Sequence, residues 1–327
     1  MTGDMERPRR LRSTAAMRRL VRETLPRASQ LVLPVFVREG LAVARPIESI
    51  PGVSQLPLAD VRGVVDQAVA AGISGIMLFA VPDVRDEEGT AACAPDGILN
   101  AAIREAVDAA QGRIVIMADL CLDEFTSHGH CGVLDTRGRV DNDATLAVYE
   151  RMAVAQADAG ADVLGLSGMM DGQVAAVRGA LERAGHHDVV VLAYSAKYAS
   201  AFYGPFRDAV ESTLEGDRRT YQMDPSNARE GVREARLDLA QGADIVMIKP
   251  ALPYLDVMAA VTAISDVPVA AYHVSGEYAQ IEAAAANGWI DRKAAHLEVL
   301  TSMVRAGADI VLTYAALDLA RWLGEES

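Results

Sequence analysis

The sequence has very few lysines. Among its 31 basic residues only Lys197, Lys249 and Lys293 are lysine, and arginine supplies all the others. A guanidinium stays protonated and cannot form an imine, whereas a lysine amine can. The lysines are therefore candidates for positions that require an amine rather than a positive charge.

Long apolar runs, numerous cysteines and a positive balance are also missing. No run approaches the ~18 apolar residues that a membrane span needs, and we see no signal peptide. Three cysteines do not make a disulfide framework, which favours a reducing cytoplasm. A net charge of −14 argues against nucleic-acid binding. We therefore expect a cytoplasmic protein with neither a membrane nor a nucleic acid as partner.

Positive charge is concentrated near the N-terminus. The segment Arg7–Arg12 is followed by Arg18, Arg19, Arg22 and Arg27, ahead of an acidic body. Such a segment can be a nucleic-acid arm, a targeting peptide or a tail that docks on a neighbouring subunit. The acidic remainder favours subunit docking. We expect an N-terminal arm at 1–28 and a catalytic domain at 29–327.

Eight short apolar runs are typical of parallel strands buried on both faces. They are Leu31–Val37, Gly75–Phe79, Arg113–Asp119, Ala161–Ser167, Val189–Tyr194, Asp244–Pro250, Val267–Tyr272 and Asp309–Tyr314. Ala-rich amphipathic segments at 58–71, 99–110 and 144–159 are predicted helices. Gly-Ala-Asp units at Gly160, Gly242 and Gly307 look like repeats of one helix–strand module, with glycine ending each helix.

This pattern predicts an α/β fold, a (β/α)8 TIM barrel with an extended N-terminal arm. A doubly wound open sheet is the weaker alternative, and no G-x-G-x-x-G follows a strand. Active sites of such barrels lie at the C-terminal ends of the strands. Reactive or polar side chains occur at or just after six of these ends, namely Asp119, Ser167, Lys197, Lys249, His273, Ser275 and Tyr314. The sequence therefore predicts an enzyme.

Two of the lysines lie where predicted strands reach the surface. Lys249 ends its run, and Lys197 follows just past the end of the run that stops at Tyr194. A partly desolvated amine has a lowered pKa and becomes a nucleophile. The alternative is that each lysine only extends its charge into solvent from the rim of the sheet.

Two loops also carry candidate residues. The long segment Tyr198–Gln222 contains Arg207, Arg218 and Arg219, which suits a lid that captures a carboxylate or phosphate; alternatively these are solvated surface charges. In the loop after the third run, Cys121, Asp123 and Cys131 can supply three ligands and leave an open position, as catalytic zinc sites do. The alternative is a free-thiol loop without metal.

Three long motifs resemble the porphobilinogen synthase (delta-aminolaevulinate dehydratase) family. They are Tyr194–Asp208, Met247–Asp256 and Tyr272–Tyr278, and shorter matches occur at Pro51–Val53 and Met169–Gly172. The resemblance implies a cytoplasmic lyase of tetrapyrrole (haem) synthesis that condenses two delta-aminolaevulinate molecules into porphobilinogen. It also implies a homo-oligomer, an octamer, and no organic cofactor.

The resemblance further implies roles for individual residues. Lys249 and Lys197 would form Schiff bases with substrate, and Asp119 would lie near the reacting amines. The carboxylate of one substrate would be held by Arg207, Arg218 and Gln222. That of the other would be held by Ser275 and Tyr314.

The metal loop departs from the family pattern. Zinc-dependent members have three cysteines, where this chain has Cys121, Asp123 and Cys131. Two thiolates and a carboxylate still suit zinc but bind it less tightly than three thiolates. An allosteric magnesium in the family uses a glutamate matching Glu234, which helical spacing alone would make a solvated surface acid.

Two rival functions remain open at this level. A class I aldolase also uses a barrel lysine, but it needs only one and does not explain the thiol loop. A catalytically inactive barrel that acts as a regulatory or binding subunit is disfavoured by the reactive strand-end residues. Incubation with delta-aminolaevulinate and a colour test for pyrroles distinguishes the three.

Overall fold

Eight parallel strands close into a barrel in this computed structural model, which describes residues 6–325. The barrel strands are β1 (Leu31–Arg38), β4 (Gly75–Val81), β5 (Val115–Leu120), β6 (Val163–Leu166), β7 (Val190–Lys197), β8 (Ile245–Lys249), β9 (Val269–His273) and β10 (Ile310–Thr313). Pairing of β10 with β1 closes the cylinder. A short hairpin, β2 (Arg45–Pro46) with β3 (Ser54–Leu56), adds to the sheet beside β1. The predicted (β/α)8 barrel is confirmed.

Helices alternate with the strands along the chain. They are α1 (Ala15–Leu20), α2 (Val61–Ala71), α3 (Ile98–Ala110), α4 (Asn142–Asp158), α5 (Gln173–Ala184), α6 (Gly204–Ala209), α7 (Ala228–Ala240), α8 (Leu255–Thr262), α9 (Ser275–Ala286), α10 (Arg292–Arg305) and α11 (Ala316–Glu325). The helix predicted from 58 begins at Val61, because Leu58–Asp60 form a 3-10 turn. Strands are buried on both faces, as β4 shows over its whole length, and this explains their continuous apolar character.

The Gly-Ala-Asp repeats have a defined local structure. Gly160, Gly242 and Gly307 have φ of 98°, 96° and 111°, a backbone region that glycine enters without a Cβ clash. Two residues later an aspartate side chain accepts a hydrogen bond from a backbone N–H of the preceding barrel strand. The pairs are Asp162 with Ile116 (2.8 Å), Asp244 with Val191 (2.8 Å) and Asp309 with Val269 (2.9 Å). Each repeat thus ends a helix and ties the next strand to its neighbour.

Strand β7 differs from its sequence prediction. It continues through Lys197 rather than stopping at Tyr194. Its register with β8 shifts between Ala193, which faces Val246, and Ala196, which faces Ile248, so β7 carries one extra residue there. This is a β-bulge, and it re-aims the side chains that follow. Lys197 therefore lies directly opposite Lys249.

The N-terminal arm lies largely in solvent. Its described part comprises a 3-10 turn, Pro8–Arg12, and helix α1, and neither element has a buried residue. Residues 1–5 of the predicted arm and residues 326–327 of the predicted catalytic domain lie outside the described residues. Within 6–325, no helix has both the length and the apolar character that crossing a membrane requires.

Candidate active site

Two buried lysines face each other across β7 and β8. Lys197 is 4% exposed and Lys249 is 5% exposed. The Lys197 amine donates a hydrogen bond to the backbone carbonyl of Ser167 at the end of β6. Aromatic rings surround the Lys249 amine, with centroid distances of 4.6 Å for Tyr272, 5.1 Å for Tyr194, 5.2 Å for Phe206 and 5.3 Å for Tyr203.

This environment disfavours the charged form of Lys249. Burial, followed by the positive charge of Lys197, lowers the pKa of Lys249 to about 7, although Asp119 partly opposes the shift. A large fraction of the Lys249 side chains is then free amine near neutral pH. Such an amine can attack a carbonyl carbon without a separate base.

Among the neighbouring acids, Asp119 does most to favour the charged form of Lys249. The Ser167 hydroxyl donates to Asp119 Oδ2 at 3.0 Å, while Asp119 Oδ1 has no hydrogen-bond partner among residues 6–325. Burial and the nearby Asp123 carboxylate raise the pKa of Asp119 to about 7, against the pull of both lysines. A carboxyl group with this pKa can exchange a proton near neutral pH.

The loop after β5 brings two thiols and a carboxylate together. Donor atoms of Cys121, Asp123 and Cys131 all lie within 4.8 Å of one another, and the three side chains are buried. Burial alone would raise the pKa of both thiols. For Cys131 the hydrogen bond from Cys121 and the charge of Arg218 outweigh burial and lower the pKa to about 7. Burial raises the pKa of Cys121 well above its usual value. One thiolate is thus available, and a metal would displace the second proton.

Asp123 is held as a carboxylate by Arg218. Their ion pair measures 2.9 Å between Asp123 Oδ2 and Arg218 Nη2 and is almost fully buried. Although burial alone would raise it, Arg218 and then Lys197 bring the pKa of Asp123 below its ordinary value. The donor set of Cys121, Asp123 and Cys131 fits a three-ligand zinc site.

The segment Tyr198–Gln222 covers these groups and contains helix α6. Arg218 donates to the backbone carbonyl of Gly129 at 2.8 Å, yet its Nε and the Gln222 Nε2 are buried donors without a partner among the described residues. Arg207 is exposed at the rim. One pocket is lined by these three together with both lysines; its remaining lining residues are Phe79, Asp123, Ser167, Tyr203 and Phe206.

Ser275 and Tyr314 lie at the ends of β9 and β10, outside the lining of that pocket. The Tyr314 hydroxyl is 3.2 Å from the hydroxyl of Tyr272, whose ring faces Lys249. Ser275 is fully buried and its hydroxyl donates to the Phe202 carbonyl, at 3.4 Å, at the start of the lid. The ring contacts of His273 are with Thr313 and His296 rather than with the lysines.

Glu234 lies apart from the lysine pocket. It is half-buried on α7 and lines a separate cleft of about 590 Å³ with Asp171 and Glu230. Burial and these two acids raise the pKa of Glu234. Within 6–325, Glu234 belongs to no group of three close metal-donor side chains.

Sequence reasoning missed two buried residues of the site. Glu124 is 2% exposed and shares a cluster of close oxygen donors with Asp119 and Asp123. Burial and these two neighbours raise the pKa of Glu124 well above its ordinary value. The ring centroid of Tyr194 lies 5.1 Å from the Lys249 amine and 5.7 Å from that of Lys197, so this residue contacts both amines. Nothing in the local sequence distinguishes Glu124 from a solvated acid, whereas Tyr194 ends a predicted strand three residues before Lys197 and could have been identified from that position.

Paired buried amines at neighbouring strand ends, beside an acid–base carboxyl and under a basic lid, define a barrel enzyme of the lysine Schiff-base class. Comparison with known proteins gives the family. The sequence profile of "Delta-aminolevulinic acid dehydratase" matches residues 5–322. The chain belongs to the delta-aminolevulinic acid dehydratase family.

Individual members of this family match nearly the whole length of the chain. The delta-aminolevulinic acid dehydratase of Mycobacterium tuberculosis is 62% identical over 320 residues, which is 97% of each chain. That of Synechococcus elongatus is 52% identical over 321 residues, covering 97% of this chain and 98% of the relative. A crystal structure of the Toxoplasma gondii ME49 enzyme with the reaction product porphobilinogen superposes with a TM-score of 0.96. It is 46% identical and covers 99% of this chain and 93% of that one.

Proposed function

We propose that this protein is a porphobilinogen synthase, a lyase that condenses two delta-aminolaevulinate molecules into porphobilinogen with loss of water. The observation that carries the proposal is the lysine pair, because Lys197 and Lys249 lie opposite each other in one pocket. A reaction that converts both of its ketone substrates into imines uses two such groups side by side, whereas a class I aldolase uses only one. Family membership agrees with this reaction.

The two amines have complementary environments. Lys249, with a pKa of about 7, attacks the ketone carbon of one substrate, and the carbonyl oxygen leaves as water when the imine forms. Lys197 does the same for the second substrate. A protonated imine carbon is electrophilic, and the carbon adjacent to the other imine can lose a proton and attack it, so that a carbon–carbon bond forms and one lysine leaves as the free amine. The amino group of one substrate then attacks the remaining imine carbon, closes the ring and releases the second lysine as the free amine. Asp119, whose pKa is also near 7, is placed to carry protons between the steps.

The lid supplies one of the two carboxylate sites, and residues that follow β9 and β10 supply the other. The unpartnered Nε of Arg218 and Nε2 of Gln222 are donors in a water-poor pocket, and Arg207 adds charge at the rim. They suit the carboxylate of one delta-aminolaevulinate. Ser275, whose hydroxyl contacts the lid at Phe202, and Tyr314, whose hydroxyl contacts that of Tyr272, would bind the carboxylate of the other. Binding both tails fixes the two reactive carbons relative to each other.

We assign zinc to Cys121, Asp123 and Cys131, where it would act as a Lewis acid on a substrate oxygen or amine. Magnesium is assigned to Glu234 in the separate cleft, with its other ligands from water or a neighbouring subunit. Neither role involves an organic cofactor.

The exposed N-terminal arm supports a homo-oligomer, which we propose to be an octamer by resemblance to the family. Leu20 is 78% exposed and Leu25 is 63% exposed, and both are apolar residues next to many arginines. The acidic barrel of a second copy is a complementary surface for this segment. The arm would then form a separate unit at 1–28, and the assembled enzyme would work in the cytoplasm.

The test is direct. Purified protein incubated with delta-aminolaevulinate should produce a pyrrole that gives a colour with an acidic aldehyde reagent and has the mass of porphobilinogen. Lys249→Arg is the matched control and should produce none. A pyrrole-free wild-type reaction that instead splits or joins aldol substrates would identify a class I aldolase. No turnover of either kind in a metal-loaded wild type would favour a regulatory barrel.

A further inference from the structure

Glu211 has an unusual backbone conformation in the lid. Its φ is 52°, in the left-handed region that residues with a Cβ rarely adopt. It follows helix α6 by two residues and lies between the substrate-facing residues Arg207 and Arg218. Non-glycine residues hold such a conformation when the surrounding structure fixes them there.

The side chain of Glu211 is fixed by three donors from the other side of the barrel mouth. Arg38 Nε, at the end of β1, donates to Glu211 Oε1 at 3.4 Å. Gln55 Nε2, from β3, donates to the same oxygen at 3.2 Å, and Arg45 from β2 donates to it as well. Gln55 is 2% exposed, so this contact extends into the protein interior.

The backbone around Glu211 is bound by the same region. Arg85 donates to the carbonyl of Glu211 at 2.6 Å and to that of Val210 at 2.7 Å. Gln55 also donates to the carbonyl of Ala209 at 2.7 Å, in a buried position. We call Glu211 with Arg38, Arg45, Gln55 and Arg85 the Glu211 clamp. It joins the C-terminal end of α6 to β1, β2, β3 and the segment that follows β4, and none of these carries a proposed catalytic residue.

Helix α6 connects the clamp to the chemistry. The ring centroid of Phe206 lies 5.2 Å from the Lys249 amine nitrogen. The same ring packs on Phe79 and Phe36, with centroid-to-centroid distances of 5.2 Å and 5.7 Å. The next residue, Arg207, lines the pocket. A displacement of the end of α6 therefore moves both the apolar cover of Lys249 and one proposed carboxylate-binding side chain.

We propose that Glu211 is a positioning residue that holds the lid closed through the Glu211 clamp, and so sets the affinity for the substrate bound under Arg207. This rests on the proposed function. Several other attachments of the lid use groups assigned to substrate or metal, namely Arg218 with Asp123, the Phe202 carbonyl with Ser275, the Tyr203 hydroxyl with the Lys249 carbonyl and the Tyr221 hydroxyl with the Cys131 N–H. The Glu211 clamp can be removed without touching any of these groups.

The test variant is Glu211→Gly, which removes the carboxylate and also relieves the left-handed backbone, so that folding is retained. We expect KM for delta-aminolaevulinate to rise about fivefold with kcat changed less than about twofold. Glu211→Gln keeps the accepting oxygen and should recover most of the affinity. The matched control is Gln111→Gly at φ 48° in the turn between α3 and β5, which relieves the same strain away from the lid. It should leave KM unchanged.

A second readout does not depend on turnover. Trypsin cleavage after Arg207 and Arg219, followed by mass spectrometry without substrate, should be faster in Glu211→Gly than in wild type or Gln111→Gly. If wild type made no porphobilinogen, the proposed function would fail while cleavage still tested the clamp. Unchanged cleavage overturns the proposal. Faster cleavage with an unchanged KM also overturns it, because Glu211 would then only stabilise the segment.

Discussion

At the scale of single residues, the amine of Lys249 lies among four aromatic rings and next to a second amine. Burial among the rings removes water from the ammonium ion, and the positive charge of Lys197 disfavours it further, so the free amine is favoured. The Lys249 side chain is thereby prepared for attack before substrate arrives. The reactivity of the Lys249 amine therefore depends on the surrounding side chains, which can be changed one at a time by mutation.

Lys249→Arg should reduce turnover to background, because a guanidinium keeps the charge and approximate length but forms no imine. With substrate and borohydride, mass spectrometry of wild type should find a reduced adduct on Lys249. The matched control Lys293→Arg, on α10 and paired with Glu325 at the surface, should leave turnover and adduct formation intact. An adduct on Lys293 in the Lys249→Arg protein would contradict the assignment.

The pH dependence of trapping at Lys249 follows from its pKa of about 7, well below the usual 10.5. Only the free amine reacts, so the trapping rate should rise with pH and reach half its maximum near 7. Lys197→Met removes a positive neighbour, raises the pKa of Lys249 and should move this midpoint to higher pH. Asp119→Asn removes a negative neighbour and should move it lower. A wild-type midpoint near 10, or shifts of the same sign, would refute the electrostatic account.

At the scale of elements, the loop after β5 mixes soft and hard donors within 4.8 Å. Asp123→Cys replaces a carboxylate by a thiolate and should slow zinc loss to a chelator, because zinc prefers sulfur in such sites. Cys131→Ala should speed it. Zinc content during dialysis, measured by elemental analysis, checks both without reference to activity.

The same experiment has an activity arm. A strong chelator should abolish turnover in the wild type, and added zinc should restore it better than magnesium. If turnover ignores the chelator and survives in both Cys121→Ala and Cys131→Ala, the loop has no catalytic metal. Magnesium at Glu234 would then be the metal to examine.

The aspartates of the Gly-Ala-Asp repeats are predicted to stabilise the barrel. Asp309→Ala leaves the Val269 N–H without its side-chain acceptor and should cost about 1 kcal/mol of unfolding free energy. Denaturant unfolding followed by fluorescence measures the difference. Asp188→Ala, an exposed aspartate just ahead of β7, is the matched control and should lie within about 0.5 kcal/mol of wild type. Equal effects of the two changes would contradict the role given to the repeat.

At the scale of the whole molecule, the exposed arm predicts assembly. Deleting residues 1–25 should give smaller particles in analytical ultracentrifugation and lower specific activity, since the arm would no longer pack on a neighbour. Leu20→Asp should weaken assembly in the same direction, because it puts charge on an apolar contact. A truncated protein of unchanged size and rate would rule out the docking role.

The barrel was predictable because each buried strand is a continuous apolar run. Lys197 and Lys249 were predictable as site residues because lysine is scarce in this chain. The bulge in β7 was not, since Ser195 and Ala196 have no feature that separates a bulged pair from a regular one. Nor was the burial of Glu124, or the meeting of Glu211 with Arg38, 173 positions away. Such contacts depend on how distant loops close over the barrel, and local patterns carry no information about that.

The distribution of lysines has a practical consequence for chemical labelling. Lys197 and Lys249 are enclosed, whereas the Lys293 side chain is 38% exposed on the outer layer of helices. A bulky amine-reactive dye that cannot enter the lid should therefore react with the Lys293 side chain and not with Lys197 or Lys249. A small reagent would also reach the enclosed pair. The protein thus offers a nearly single-site handle for fluorophores or surface immobilisation without any engineered residue.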